Sequence, residues 1–381
     1  MANVDTPEAA EKAVEYGAMG IGLCRTERMF NAVDRLPIVI DMILARTPVE
    51  REAALQRLLP IQRQDFKELF TVMSPRPVTV RLLDPPMHEF LPTEQQLIDD
   101  IDALRQYRIT VKGRATALNT IHTTSPLPAP FSEISEELVN TAISKKEQML
   151  RKVRELYEVN PMLGHRGVRL GITYPEIYAM QIQAILEATA ECIKEGIEVH
   201  PEIMVPQVIT LQELKHVNRT VTIIHQRVES QHRVKLNFKF GTMIETVRAC
   251  MRSPRLAEVA EFFSFGTNDL TQAAFSFSRE DAENKFLPLY NESGILQDNP
   301  FEVLDVNGVG RLMQMTVEHG RKSRPGLKIG ICGEQGGHPA SIRFCHHIDL
   351  DYVSCSAPRV PVARLAAAQA KLLENKYSIP E

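Results

Sequence analysis

What this sequence lacks removes whole classes of protein. No apolar stretch approaches the roughly 20 residues that a helix needs to cross a bilayer, so a membrane protein is not expected. The cysteines at 24, 192, 250, 332, 345 and 355 include no CxxC pair and no zinc-finger spacing. With no apolar leader ahead of them, reduced thiols in an intracellular compartment are the expectation. An excess of positive charge is absent too, since 44 Lys and Arg stand against 48 Asp and Glu for a net charge of -4. That balance argues against broad nucleic-acid or polybasic membrane binding, while local arginine clusters can still hold small anions. No internal repeat with a period of about 20–50 residues is visible.

What is present is a long α/β alternation. The 381 residues, 44% hydrophobic, with a mean hydropathy of -0.17, suit either two ordinary domains or one large barrel with an insertion. Short apolar runs occupy 21–27, 78–84, 167–172, 202–208, 238–245, 262–269 and 328–334. Between them lie segments of helical period. The clearest is "PEIYAMQIQAILEATAECIKEG" (175–196), with Pro at its start and Gly196 as its stop. Strands alternating with helices predict a parallel sheet covered on both faces. With "ANVD" (2–5) and "DYVSCS" (351–356) there are nine strand candidates, one more than a (β/α)8 TIM barrel takes, so one is expected to be peripheral. Residues 101–152 break the pattern and read as an insertion: a Thr-, Ser-, Pro- and Ala-rich loop, then a helix from 138. His122 in "TIHTTSP" invites comparison with a phosphohistidine but reads as ordinary surface.

The runs share a feature at their C-terminal ends. They finish in Arg25 and Glu27, Arg81 and Asp84, Glu245, Asn268 and Asp269, or Cys332 and Glu334. In a barrel the C-terminal strand ends form the active face, so these groups are expected to converge. Glu245 and Asp269 lie 24 residues apart, about one strand plus one helix, on neighbouring strands. Two hard oxygen ligands with open positions suit Mg²⁺, which keeps waters and accepts substrate oxygens; the alternative is that each caps the helix that follows. Arg81 and Arg166 stand where a planar fork can clamp a phosphate or carboxylate, or where a neighbour such as Asp84 simply neutralises it. Asn268, after Gly266 and Thr267, offers donors to an oxyanion. Cys332 is either apolar filler or a neutral thiol able to hand a proton to carbon as a general acid.

Several blocks then match a known family in order. "GIGLCRTERMF", "VTVRLLDPPMHEFLPTE", "NPMLGHRGVRL", "PEIMVP", "GTMIE", "AEFFSFGTNDLTQ" and "GICGEQGGHPASIRFCH", followed by "LDYVSCSAPRVPVARLAAAQA", closely resemble the C-terminal domain of the pyruvate, phosphate dikinases. The resemblance implies a phosphoenolpyruvate-binding (β/α)8 barrel occupying 1–381 as a single domain. It further implies that Arg81 and Arg166 bind the phosphoryl group and that Glu245 and Asp269 hold Mg²⁺ against the substrate carboxylate and enolate oxygen. Gly266, Thr267 and Asn268 would line the pocket, and Cys332 would protonate C3 of the enolate. Implied partners are phosphoenolpyruvate or pyruvate, a phosphohistidine-bearing swivelling domain, and a second copy through this domain, with helix 312–318 or the C-terminal "VPVARLAAAQAKLL" as candidate surfaces.

Family members read "RTEHMF" and "CGEHGG" where this chain has Arg28 and Gln335. Replacing a titratable histidine by glutamine puts the orientation and proton supply of Cys332 in question. A nucleotide-binding domain and a swivelling domain do not fit beside the barrel in 381 residues. The expectation is a fragment that binds phosphoenolpyruvate, pyruvate or oxalate with Mg²⁺ and does not consume ATP. Other readings are phosphoenolpyruvate synthase or enzyme I of the sugar phosphotransferase system, which share the "GTND" and "CGE" blocks, and a non-catalytic dimerisation module. The default compartment is the cytoplasm, with glycosome, peroxisome or plastid left open.

Overall fold

A computed structural model describes residues 1–32, 34–122 and 136–373. Its strands are β1 (Ala2–Asn3), β2 (Ile21–Arg25), β3 (Pro77–Arg81), β4 (His200–Val205), β5 (Lys239–Ile244), β6 (Phe262–Phe265), β7 (Lys328–Ile331), β8 (Tyr352–Val353) and β9 (Cys355–Ser356). They form one sheet in the order β8-β7-β6-β5-β4-β3-β2-β1-β9, and every pairing is parallel. β8 and β9 are halves of the single run "DYVSCS", divided at Ser354. Tyr352 and Val353 pair with Gly330 and Ile331 of β7; Cys355 and Ser356 pair with Ala2 and Asn3 of β1. One segment thus fills the eighth place of the ring and closes it, and the fold is an α/β barrel of the TIM type.

The surplus strand candidate is 167–172. It is helical, Val168–Thr173. Buried Val168 and Leu170 imitate the period of a strand, and in six residues that period cannot be told from a helical one. The insertion also differs from its reading. Helix Glu94–His122 runs through much of the stretch expected to be loop and packs against helix Glu136–Leu156. Arg105 to Glu147 (2.8 Å), Lys146 to Asp100 (2.7 Å) and Arg154 to Glu94 (2.8 Å) tie the two together. "TIHTTSP" runs into 123–135, which lie outside the described residues.

Strand parity decides what enters the barrel. Ile203, Val205, Ile244, Phe263, Phe265, Ile329 and Ile331 belong to the large core between strands and helices. Residues of opposite parity, Leu23, Met204, Met243, Phe262 and Cys332, form a separate buried cluster inside the ring. Because strand side chains alternate with period two, Arg25 shares the face of Leu23, Glu245 that of Met243, and Arg81 that of Thr79. Polar groups at those positions are therefore carried to one rim. Outside the ring, helix Pro175–Lys194 packs along helix Pro48–Met73. A small satellite core of Ala282, Leu287 and Phe301, with Phe277, Phe286 and Leu296 against it, follows the helix after β6.

Candidate functional site

A cavity of about 930 Å³ opens at the C-terminal ends of the strands. Arg25, Glu27, Arg81, Asp84, Arg166, Glu245, Gly266, Asn268, Asp269, Cys332 and Glu334 are among its lining residues. A groove of about 1170 Å³ lies between helices 36–44, 48–73 and 136–156. Its two cations, Arg57 and Lys145, are both taken up by Asp41.

Arg81 and Arg166 meet at Asp84, both on its Oδ2. Arg81 bonds to Glu27 and lies 3.0 Å from Asp84 Oδ2. Arg166 Nη2 donates to the same Asp84 oxygen at 2.6 Å and to Asp269 Oδ2 at 3.1 Å. Burial alone would lower both guanidinium pKa values; nearby carboxylates, Asp84 foremost, outweigh it and hold them above the ordinary arginine value. Burial likewise pushes Asp84 up, but Arg81 and Arg166 prevail and keep it below the usual carboxylate range. Arg166 is aimed inward by Gly167, whose φ of +57° is open to glycine but strained for other residues. The Gly167 N–H donates to the Asp84 carbonyl at 2.8 Å. Arg25 is freer: its side chain is 31% exposed and its ion pair to Asp5 is 3.9 Å long.

Glu245 is 2% exposed, and among the described residues no cationic side chain forms an ion pair with it. Its Oε1 accepts the Gln207 backbone N–H at 2.6 Å. Burial, then the neighbouring Asp269 and Asp84, push its carboxyl pKa well above the ordinary value. Asp269 accepts from Arg166, from Gln207 Nε2 at 3.0 Å and from Gln272 Nε2 at 3.2 Å. Asp84 Oδ1 is buried without a hydrogen-bond partner among the described residues. Among the described residues no group of three or more His, Cys, Asp or Glu is arranged to hold a metal. Two carboxylates, one of them short of positive charge, fit a hard divalent cation that completes its shell with water and ligand oxygens.

Cys332 faces the cavity from the inner cluster. Burial pushes its thiol up to about 11, opposed by the Ser264 hydroxyl and Arg81, so it is protonated at neutral pH. Its carbonyl accepts from Asn3 Nδ2 at 2.9 Å. Gly266 is held close to Glu245, since a Cβ there would come within 2.7 Å of Oε2. Asn268 accepts the Glu334 backbone N–H at 3.1 Å. Thr267 is fully buried, its hydroxyl donating to Gln335 Oε1 at 2.7 Å; the side chain is turned into the wall. Gln335, buried as well, also donates to the Pro300 carbonyl at 2.8 Å. Arg28 pairs with Asp5 at 3.2 Å and is 65% exposed. Both departures from the family motifs therefore hold framework contacts. Gln207, Ser264 and Arg279 were not singled out by the sequence. Arg279 grips Glu334 with two bonds of 2.9 and 3.0 Å.

With this geometry in view, the chain belongs to the PEP-utilising enzymes: residues 1–372 match the family described as "PEP-utilising enzyme, PEP-binding domain". Within that family it is similar to the pyruvate, phosphate dikinases. Identity is 53% over 372 residues to that of Entamoeba histolytica, covering 97% of this chain and 39% of the relative. It is 50% over 369 residues to pyruvate, phosphate dikinase 1, chloroplastic, of Arabidopsis thaliana, covering 97% and 35%. For pyruvate, phosphate dikinase 2 of Zea mays it is 48% over 370 residues, covering 97% and 38%. The chain spans less than two fifths of the length of these relatives. No helix among the described residues is long and apolar enough to cross a membrane.

Proposed function

We propose that this chain binds phosphoenolpyruvate and pyruvate with Mg²⁺ and carries the phosphoenolpyruvate–pyruvate half-reaction of a pyruvate, phosphate dikinase. The observation that supports this best is Glu245, a buried carboxylate with no ion-pair partner among the described residues, set beside Asp269 in the cavity that a protonated thiol also lines. Glu245 and Asp269 would hold the metal, which supplies a Lewis acid for negative charge developing on the ligand oxygens. Arg81 and Arg166, fixed by Asp84, would face the phosphoryl group, and Arg25 has the freer guanidinium to close on it. Gly266 leaves room beside Glu245, and Asn268 supplies a further polar contact.

Phosphoryl transfer breaks the bond between phosphorus and the enol oxygen and joins phosphorus to the nitrogen of a histidine on a separate swivelling domain. Cys332 would then give its S–H proton to C3, forming the methyl group of pyruvate and leaving a thiolate. The Ser264 hydroxyl and the Arg81 charge favour that thiolate. Consumption of ATP and phosphate would belong to further domains of a whole dikinase. The dikinase relatives favour this branch over phosphoenolpyruvate synthase or enzyme I, and the convergence of reactive groups disfavours a purely non-catalytic module. Homodimerisation would use the C-terminal helix Val360–Leu372, which leaves Val362, Leu365 and Leu372 exposed. Helix Val309–Ser323 instead buries Met313 and Val317 in the core.

Calorimetric titration of phosphoenolpyruvate with and without Mg²⁺ tests the reading. Mg²⁺-dependent binding that disappears in Glu245→Ala and persists in Cys332→Ala is expected. Absence of binding in the unsubstituted chain, or binding indifferent to Mg²⁺ and to Glu245, overturns it.

A further inference from the structure

We propose that Gln207 is a positioning residue that fixes the relative placement of Glu245 and Asp269 and thereby sets their affinity for a divalent cation. The proposal rests on reading those two carboxylates as a metal site. Gln207 hydrogen-bonds to both of them: its backbone N–H to Glu245 Oε1 at 2.6 Å and its amide Nε2 to Asp269 Oδ2 at 3.0 Å. Its side chain is buried, 4% exposed, directly after β4.

Its backbone is unusual. With φ of 60°, Gln207 occupies the left-handed region that a side chain disfavours. Two contacts enforce that conformation. The Pro206 carbonyl accepts the Val168 N–H at 3.1 Å, and Gly167 packs so closely that a Cβ on it would lie 2.7 Å from the Gln207 Cβ. A strained residue touching two candidate ligands is the kind of outlier from which function is properly inferred.

Charge explains why an amide is useful there. Asp269 Oδ2 is shared between Gln207 and Arg166, and Arg166 also draws on Asp84. Without the amide, attraction to the guanidinium has no counterweight on that oxygen, and Asp269 swings towards Arg166 and away from Glu245. A neutral donor restrains the carboxylate's direction without adding a positive charge that competes with a cation. Partners of this kind typically alter metal affinity about 10- to 100-fold.

The test uses Mn²⁺ as the probe, titrated into this chain without substrate and followed by electron paramagnetic resonance, with thermal melting alongside. Gln207→Gly keeps the N–H donor and suits the left-handed backbone, removing only the side chain. It is expected to melt no lower than the unsubstituted chain and to bind Mn²⁺ about 10-fold more weakly. Gln207→Leu, which keeps bulk and loses the donor, should show the same loss of affinity. Mn²⁺ binding within about twofold of the unsubstituted chain in both variants overturns the role of Gln207 while the metal site stands. No Mn²⁺ binding by the unsubstituted chain, with Glu245→Ala indistinguishable from it, overturns the metal reading and this proposal with it.

Discussion

The two ends of the barrel treat buried charge in opposite ways. Where the strands begin, Lys328 Nζ lies 2.7 and 3.0 Å from the two oxygens of Glu202, and Thr79 Oγ1 donates to Glu202 at 2.8 Å. That set is satisfied within itself. Where the strands finish, Asp84 is shared between two arginines, Arg166 between two carboxylates, and Glu245 has no ion-pair partner among the described residues. The first set sits on β3, β4 and β7 themselves, whereas most of the second lies just beyond strand ends, on the loops and the helix that follow. At one end the ion pair links β7 to β4 across the inside of the ring; at the other the arginines are shared unevenly among the carboxylates.

The satisfied end is the more sensitive to a single substitution. Lys328→Met leaves Glu202 buried and unpaired, and a loss of about 3–5 kcal/mol is expected from denaturant unfolding. A loss under about 1 kcal/mol would mean that the pair is no more structural than a surface bridge. At the open end the sign reverses. Glu245→Gln removes a carboxylate that lacks a cation, so unfolding free energy should stay level or rise by about 1 kcal/mol. Mg²⁺-dependent phosphoenolpyruvate binding should meanwhile weaken at least about 100-fold, or roughly 2.8 kcal/mol. A fall in stability matching that of Lys328→Met would erase the distinction.

A smaller effect sharpens the picture at the thiol. With its pKa pushed up to about 11, Cys332 retains its proton to a higher pH than a free cysteine near 8.5. Its alkylation by iodoacetamide, followed by mass spectrometry of its peptide, should still be accelerating between about pH 9 and 10, where a free thiol approaches its plateau. A plateau near the free-thiol value would show that the barrel interior does not shield it. The least effect is expected at the Arg279–Glu334 pair, which is half-exposed. Arg279→Ala should cost no more than about 0.5 kcal/mol. Arg279 holds Glu334 below its ordinary pKa, so the pair's contribution is present above the unfolded carboxyl pKa and lost as pH falls through the lower folded value. The difference between the two proteins in denaturant unfolding should shrink towards acid; a difference that grows there would refute the pairing.

The rim was legible because strand parity and strand endings are both sequence properties: Arg81, Glu245, Asn268, Asp269 and Cys332 could be read as convergent. Other features depend on contacts that no spacing encodes. The left-handed backbone of Gln207 is packed against Gly167 and tied through the Pro206 carbonyl to Val168, residues almost 40 positions earlier in sequence. Thr267 was expected to line the pocket, yet its hydroxyl is turned to Gln335, a partner that only the packing of two loops reveals. Val168–Thr173 was too short for its period to distinguish helix from strand, and helix Glu94–His122 carries little amphipathic signal through a composition suited to loops. The split of "DYVSCS" likewise follows from ring closure, a property of the whole sheet.

That split has a mechanical consequence. β1, β8 and β9 are each two residues long, so the ring's thinnest arc is a seam held by few ladder bonds and by Ser354 Oγ donating to Asn3 Oδ1 at 2.7 Å. The other end of the same Asn3 amide grips the carbonyl of Cys332. The seam therefore carries one of the holds on Cys332, whose N–H is separately tied to the Phe265 carbonyl of β6 at 3.1 Å, so the residue is a joint between the barrel's thinnest arc and one of its better-paired strands.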